Sequence, residues 1–211
     1  ANLSLCDIIR IDHFRGFESY WAVPFGDKTA ENGKWVEGPK MDLFNAIKNE
    51  LGELPIIAED LGNLTQGVID LREATGFPGM KILGFAFDSG EENDYLPHTY
   101  TRNCVVYTGT HDNDTLRGWF DKAKPEDREF AMNYLNSRNE AEIHWDAIRG
   151  AWSSVADIAL VPIQDFLGLG SEARINTPGI ASGNWQWRLK PEVLTDELAE
   201  KIAKLTRIYS R

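Results

Sequence analysis

Five short apolar runs, alternating with longer amphipathic stretches, constrain this chain more than any other feature. The runs are Ile8 to Ile11, Pro55 to Ala58, Lys81 to Phe87, Cys104 to Tyr107 and Ile158 to Ile163. Between or after them, helical periodicity covers Met41 to Leu51, Leu64 to Ala74, Thr115 to Lys122, Pro125 to Ser137, Ala141 to Ser153 and Asp196 to Tyr209. Brief apolar segments alternating with helices are the pattern of β/α units around a parallel sheet, not of a β-sandwich. Local chemistry supports the boundaries. Asn63 is placed to cap the second helix, Gly76 and Pro78 to end it, Pro125 suits a first turn and Thr195 an N-cap. The stretch from Gly26 to Lys40, rich in glycine and charge, reads as an exposed loop.

The expected fold class is therefore α/β, with one domain over residues 1–211. A (β/α)8 barrel needs eight strands, and five are readable. The first strand begins within ten residues of the start, with nothing before it to cover its edge. The expectation is a partial TIM-barrel-like domain that holds the later strands, about 4 to 8, with the N-terminal barrel strands absent from the chain. An unpaired edge of this kind is also a surface through which two copies can associate.

A net charge of −11 argues against nucleic acid, which needs a basic face; acidity also serves solubility. No segment has the eighteen or so apolar residues that span a bilayer, and no leader pattern opens the chain, so no membrane partner and a cytoplasmic location are expected. Cys6 and Cys104 each adjoin an apolar run and read as reduced, buried residues. No metal site and no cofactor are indicated.

Charged residues end three of the runs. Asp12 follows Ile9-Arg10-Ile11, Glu59 follows Ile56-Ile57-Ala58, and Asp112 lies just beyond Cys104 to Tyr107, next to His111. In barrels, side chains at the C-terminal ends of strands carry the chemistry. Strand alternation puts Arg10 and Asp12 on one face, where the cation keeps the carboxylate ionised, as a nucleophile requires. Glu59 follows a wholly apolar run, and desolvation there raises a carboxyl toward general-acid behaviour. Two carboxyls tuned in opposite directions are the basis of glycoside cleavage. Singly, each has a plainer reading: strand-end carboxylates are often only solvated, and Asp60 and Asp114 serve as caps of loops or helices.

The segments Ile9-Arg10-Ile11-Asp12-His13-Phe14-Arg15-Gly16-Phe17, Ile57-Ala58-Glu59-Asp60-Leu61-Gly62 and Tyr107-Thr108-Gly109-Thr110-His111-Asp112-Asn113-Asp114-Thr115 resemble the signature segments of the 4-α-glucanotransferases, or amylomaltases, of glycoside hydrolase family 77 in the α-amylase clan. They occur in the family's order, with Asp12, Glu59 and Asp112 separated by 47 and 53 positions. Segments from Ile163 to Gly168, Asn176 to Gly179 and Asn184 to Arg188 resemble the family's C-terminal part, so the likeness runs through nearly the whole chain.

The resemblance implies that Asp12 is the nucleophile, Glu59 the acid and base, and Asp112 the group that stabilises the transition state by holding sugar hydroxyls. It implies substrate contacts at Arg10, His13, Trp21, His111, Asn113, Asp165 and Asn176, no cofactor, and a maltodextrin or other α-1,4-glucan as partner. Seven tryptophans suit such a substrate, because sugars lay flat C–H faces on aromatic rings; Trp21, Trp185 and Trp187 are candidate platforms and core packing is their alternative. Family members run to about twice this length, a comparison that rests on the resemblance, whereas a barrel alone needs about 250 residues. Two other readings stand beside this one: a glucan-binding fragment without activity, and the transferase part of a glycogen debranching enzyme.

Overall fold

A computed structural model of the chain describes residues 2–62, 64–88 and 92–211. The chain divides into two compact units, Ala1–Met80 and Lys81–Arg211. Strands alternate with helices in both, the α/β organisation that the apolar runs imply.

The first unit contains β1 (Ile9–Ile11), β2 (Ser19–Ala22), β3 (Lys34–Glu37), α1 (Lys40–Leu51), β4 (Ile56–Ala58) and α2 (Gln66–Thr75). β1 and β4 pair in parallel, with Ile9 opposite Ile56 and Ile11 opposite Ala58. Their apolar side chains meet α1 and α2 in a core built on Phe14, Phe44, Ala58, Val68 and Leu71. Aromatic packing dominates it: the Phe44 ring lies 5.5 Å from Phe14, 5.3 Å from Phe17 and 5.6 Å from Phe77, the spacing of favourable ring pairs. α2 starts after Thr65 and ends at Gly76, whose φ of 72° is the left-handed stop expected of it. The expected cap, Asn63, lies outside the described residues.

The stretch expected to be a loop from Gly26 to Lys40 contains β3, which pairs antiparallel with β2 and sets Trp21 opposite Trp35. Gly38 closes the hairpin against the preceding turn, since a Cβ there would lie 2.3 Å from the Phe17 carbonyl oxygen.

The second unit is built on β6 (Cys104–Tyr107) and β7 (Ile158–Leu160), which pair in parallel, with helices α3 (Leu116–Lys122), α4 (Pro125–Tyr134), α5 (Ile143–Trp152), α6 (Ile163–Phe166) and α7 (Asp196–Tyr209). β5 (Gly79–Ile82) runs across the boundary of the units and neighbours β6 in the sheet. Val106, Phe87, Ile148, Trp152 and Leu205 are among the residues that fill the core. Two threonines cap as their type allows: Thr115 accepts from Gly118 N–H and Thr195 from Leu198 N–H.

Three expectations are corrected here. The strand read over Lys81 to Phe87 ends at Ile82, and Leu83–Phe85 is a 3-10 turn. Winding at a period of three buries both Leu83 and Ala86 and turns Phe85 outward; a strand would put Leu83 and Phe85 on one face. The run from Ile158 stops at Leu160 because Pro162, which has no N–H to extend a ladder, stands at the N-cap of α6. Cys6 is exposed, with its thiol donating to the Asn2 carbonyl oxygen, whereas Cys104 is buried as expected. Among the described residues, no helix is long and apolar enough to cross a membrane.

Candidate active site

In the first unit the parallel ladder continues one step past its strands. Glu59 N–H donates to the Ile11 carbonyl at 2.8 Å, and Phe14 N–H to the Glu59 carbonyl at 2.9 Å. Extending the pairing of Ile11 with Ala58 by one residue puts Asp12 beside Glu59. Parallel neighbours lie about 4.8 Å apart, so the two carboxyl-bearing positions are as close as adjacent strands allow. His13 adopts a left-handed conformation with φ 51°, which reverses the chain just after Asp12. The Glu59 side chain then accepts two backbone bonds, Oε2 from His13 N–H at 2.6 Å and Oε1 from Leu61 N–H at 3.0 Å. Asp12 is held differently. Its Oδ1 lies 3.2 Å from Arg10 Nη2 and its side chain is 79% exposed, which leaves the carboxylate open to a ligand.

Asp60, next to Glu59, points inward. It is buried, pairs with Arg72 at 2.8 Å and accepts Met80 N–H at 2.7 Å. Gly79 makes room for it, since a Cβ there would fall 2.4 Å from Asp60 Oδ2. Adjacent acids thus have opposite tasks: one ties the strand end to α2 and β5, the other faces outward.

The β2–β3 hairpin carries exposed aromatic surface. Trp21 and Trp35 meet edge to face at 5.4 Å, and the Arg15 guanidinium lies 4.6 Å from the Trp35 ring centre. Trp21 Nε1 donates to the Ala30 carbonyl at 2.9 Å, so its hydrogen-bonding edge is used within the hairpin while its ring remains partly exposed.

In the second unit the segment after β6 is folded by its own side chains. Asn113 Oδ1 accepts from both the backbone N–H and the hydroxyl of Thr110 at 2.8 Å, a side-chain bond back to the preceding turn that gives Asn113 a turn-forming task. It leaves Asp112 half-exposed. Asn176 Nδ2 donates to Asp112 Oδ1 at 2.5 Å, and His111 Nε2 lies 3.3 Å from Oδ2. Arg174 donates to the carbonyls of Asp112 and Asn176 at 2.7 and 2.8 Å, and Asn176 N–H to the His111 carbonyl at 3.1 Å. The His111 ring lies 5.2 Å from that of Trp185, which is exposed. Of the expected residues, Arg10, Asp12, His13 and Glu59 gather in one unit, and His111, Asp112, Asn113 and Asn176 in the other. Arg174 was not anticipated, because a lone arginine in a loop carries no pattern.

Asp165, expected to touch substrate, is instead an internal post. It accepts the Thr108 hydroxyl at 2.6 Å and Leu116 N–H at 2.8 Å, and at 1% exposure its carboxyl is closed off from a sugar by burial. Burial pushes its carboxyl up to about 6, against the pull of the Thr108 and Leu116 bonds. Asp114 is the contrary case: burial raises it, but hydrogen bonds from Lys122 and Ser171 outweigh that and hold it below the ordinary value. Between 3.8, the ordinary value, and about 6, the folded chain keeps a proton on Asp165 that the unfolded chain releases. Its contribution to stability therefore falls as pH rises through that window. Asp165→Asn keeps an acceptor for Leu116 and a donor for Thr108 without the charge. The melting temperature of this variant relative to the parent is expected to rise from pH 4 to about pH 6 and to level off above it; a difference that does not change with pH would remove the charge argument.

Among the described residues, no three His, Cys, Asp or Glu side chains group to hold a metal. A family model described as 4-alpha-glucanotransferase, glycoside hydrolase 77, matches residues 1–195. The chain is 56% identical over its whole length to a 4-alpha-glucanotransferase of Clostridium butyricum, covering 44% of that protein. It is 47% identical over 99% of its length to a 4-alpha-glucanotransferase of Thermus thermophilus, covering 43% of it. Among solved structures, it superposes with a TM-score of 0.95 and 38% identity on an amylomaltase from Streptococcus agalactiae in complex with acarbose, over 99% of this chain and 42% of that one. The chain thus spans less than half the length of these relatives.

Proposed function

Because the chain belongs to glycoside hydrolase family 77, the 4-alpha-glucanotransferases, we propose that it carries the catalytic carboxylates that move α-1,4-glucan segments between maltodextrin chains. In this reading it is the later part of a (β/α)8 barrel. The observation that carries the proposal is the register of β1 with β4, which makes Asp12 and Glu59 neighbours at the C-terminal ends of adjacent parallel strands. Strand spacing of about 4.8 Å suits the roughly 5 to 5.5 Å between the carboxyls of retaining enzymes.

Asp12 attacks the anomeric carbon from the β face while Glu59 gives its proton to the departing glycosidic oxygen, leaving a glucosyl ester on Asp12. Each Glu59 oxygen accepts one backbone N–H and keeps a second lone-pair direction. The proton is carried there, with the carboxyl already oriented. In the second step Glu59 takes the proton of an acceptor sugar's 4-hydroxyl, whose oxygen displaces Asp12 and restores the α configuration. Asp112, flanked by His111 and Asn176, holds the hydroxyls of the reacting sugar through charge-assisted bonds that strengthen as its ring flattens. Trp185 and the Trp21–Trp35 pair supply apolar faces for neighbouring sugars.

The polypeptide that carries this chain, incubated with maltotriose, is expected to release glucose and build maltodextrins longer than the substrate. Accumulation of glucose and maltose alone would make it a hydrolase. Binding of maltoheptaose without turnover would leave only a glucan-binding module.

A further inference from the structure

Apart from the carboxylates, the second unit holds a cleft of about 470 Å³, a volume typical of small-molecule sites. Its walls include His98, Tyr134, Asp146, Arg149, Ser153 and Tyr209. His98 precedes β6 and Ser153 precedes β7, whereas Asp112 follows β6. The cleft therefore opens at the N-terminal ends of these strands, the opposite end from Asp112.

Its polar groups are arranged toward one kind of ligand. The Tyr134 hydroxyl is 2.9 Å from His98 Nδ1, with the two rings 5.7 Å apart. Arg149 Nη1 donates to the Tyr209 hydroxyl at 3.3 Å. Asp146 and Arg149 stand one turn apart on α5, and among the described residues neither forms an ion pair. A simple anion entering here meets Asp146 and a simple cation meets Arg149. A neutral polyhydroxylated ring satisfies both, because its hydroxyls donate to the carboxylate and accept from the guanidinium, while its C–H face lies against tyrosine.

We propose that this cleft is a second, non-catalytic site for a short segment of an α-1,4-glucan chain. The choice of glucan among polyols rests on the transferase reading, which makes that chain the polyol present at the protein. Bound there, a long glucan is kept at the protein while one of its ends reacts elsewhere, an intramolecular gain in effective concentration.

The test is hydrogen exchange of the polypeptide that carries this chain, titrated with maltoheptaose. Protection is expected at residues 97–100 and 146–155. In Arg149→Ala and in Asp146→Asn the midpoint of that protection should move about tenfold higher in ligand, the effect of one lost charge-assisted bond, with transfer from maltotriose unchanged. Protection confined to residues 108–115 and 174–185, or a midpoint unmoved in both variants, would overturn the site. Transfer is read separately: failure to disproportionate maltotriose refutes the transferase reading, and cleft protection that the two variants shift would uphold the site even then.

Discussion

Asp12→Asn is expected to lower glucosyl transfer on the order of 10⁴-fold or more, the scale on which removing a covalent nucleophile acts. The substitution is nearly isosteric, and an amide oxygen still accepts the Arg10 bond. Because the Asp12 side chain is 79% exposed, stability should shift by no more than about 0.5 kcal/mol, so the lost activity reports chemistry and not folding. A carboxamide cannot form the glucosyl ester, and no neighbour on β1 offers another oxygen nucleophile. The assignment has a positive test as well. Asp12→Gly supplied with azide and a glucan donor should give a β-glucosyl azide, since azide enters from the vacated face and inverts the anomeric carbon once. Transfer at a near-normal rate in Asp12→Asn would refute the assignment.

Glu59→Ala is expected to lose about 10² to 10⁴-fold toward maltotriose, the range of general acid–base catalysis. Part of that loss should depend on the leaving group. With α-glucosyl fluoride, whose fluoride departs without a proton, the glucosyl-enzyme should still form, and a burst of fluoride should precede a slow second step. Glutamine is the poorer probe here. Both oxygens of Glu59 accept backbone N–H, and a glutamine must turn its own NH2 toward one of those donors, disturbing the turn at His13 or at Leu61. Equal losses with maltotriose and with the fluoride would remove Glu59 from the proton-transfer step.

What could be read from the residues divides along physical lines. β1, β4, β6 and β7 lie in runs with no competing pattern, and the acids that follow three of them, Asp12, Glu59 and Asp112, stand out because a carboxylate beside a buried run is costly unless it is solvated, bonded or used. The β2–β3 hairpin was illegible. Lys34-Trp35-Val36-Glu37 is a short strand with charge at both ends, beside Gly33 and Gly38, so local composition signals a loop and only the pairing with Ser19 to Ala22 makes a strand of it. The turn at Leu83 was hidden because a continuous apolar run has no period of its own. Asp165 shows the reverse difficulty. An acid in a segment that resembles a glycosidase looks like a ligand, and only three-dimensional packing reveals that it is buried against Thr108 and Leu116.

The hairpin also bears on how such a protein can diversify. Its two strands are clamped at the Trp21–Trp35 pair and at Gly38, while the connection between them runs through residues as exposed as Phe25. Lengthening a loop of that kind costs only about 0.6 kcal/mol for each doubling. Insertions after Val23 can therefore change the exposed surface of the hairpin while Asp12 and Glu59 keep their places at the ends of β1 and β4. Gly33 marks the limit of that freedom, because a Cβ there would lie 2.1 Å from Trp21 Nε1. If the chain transfers glucans as proposed, this connection is the most permissive ground for changing the length it accepts, because Phe25 is fully exposed while Asp12 and Glu59 are fixed by the β1–β4 ladder.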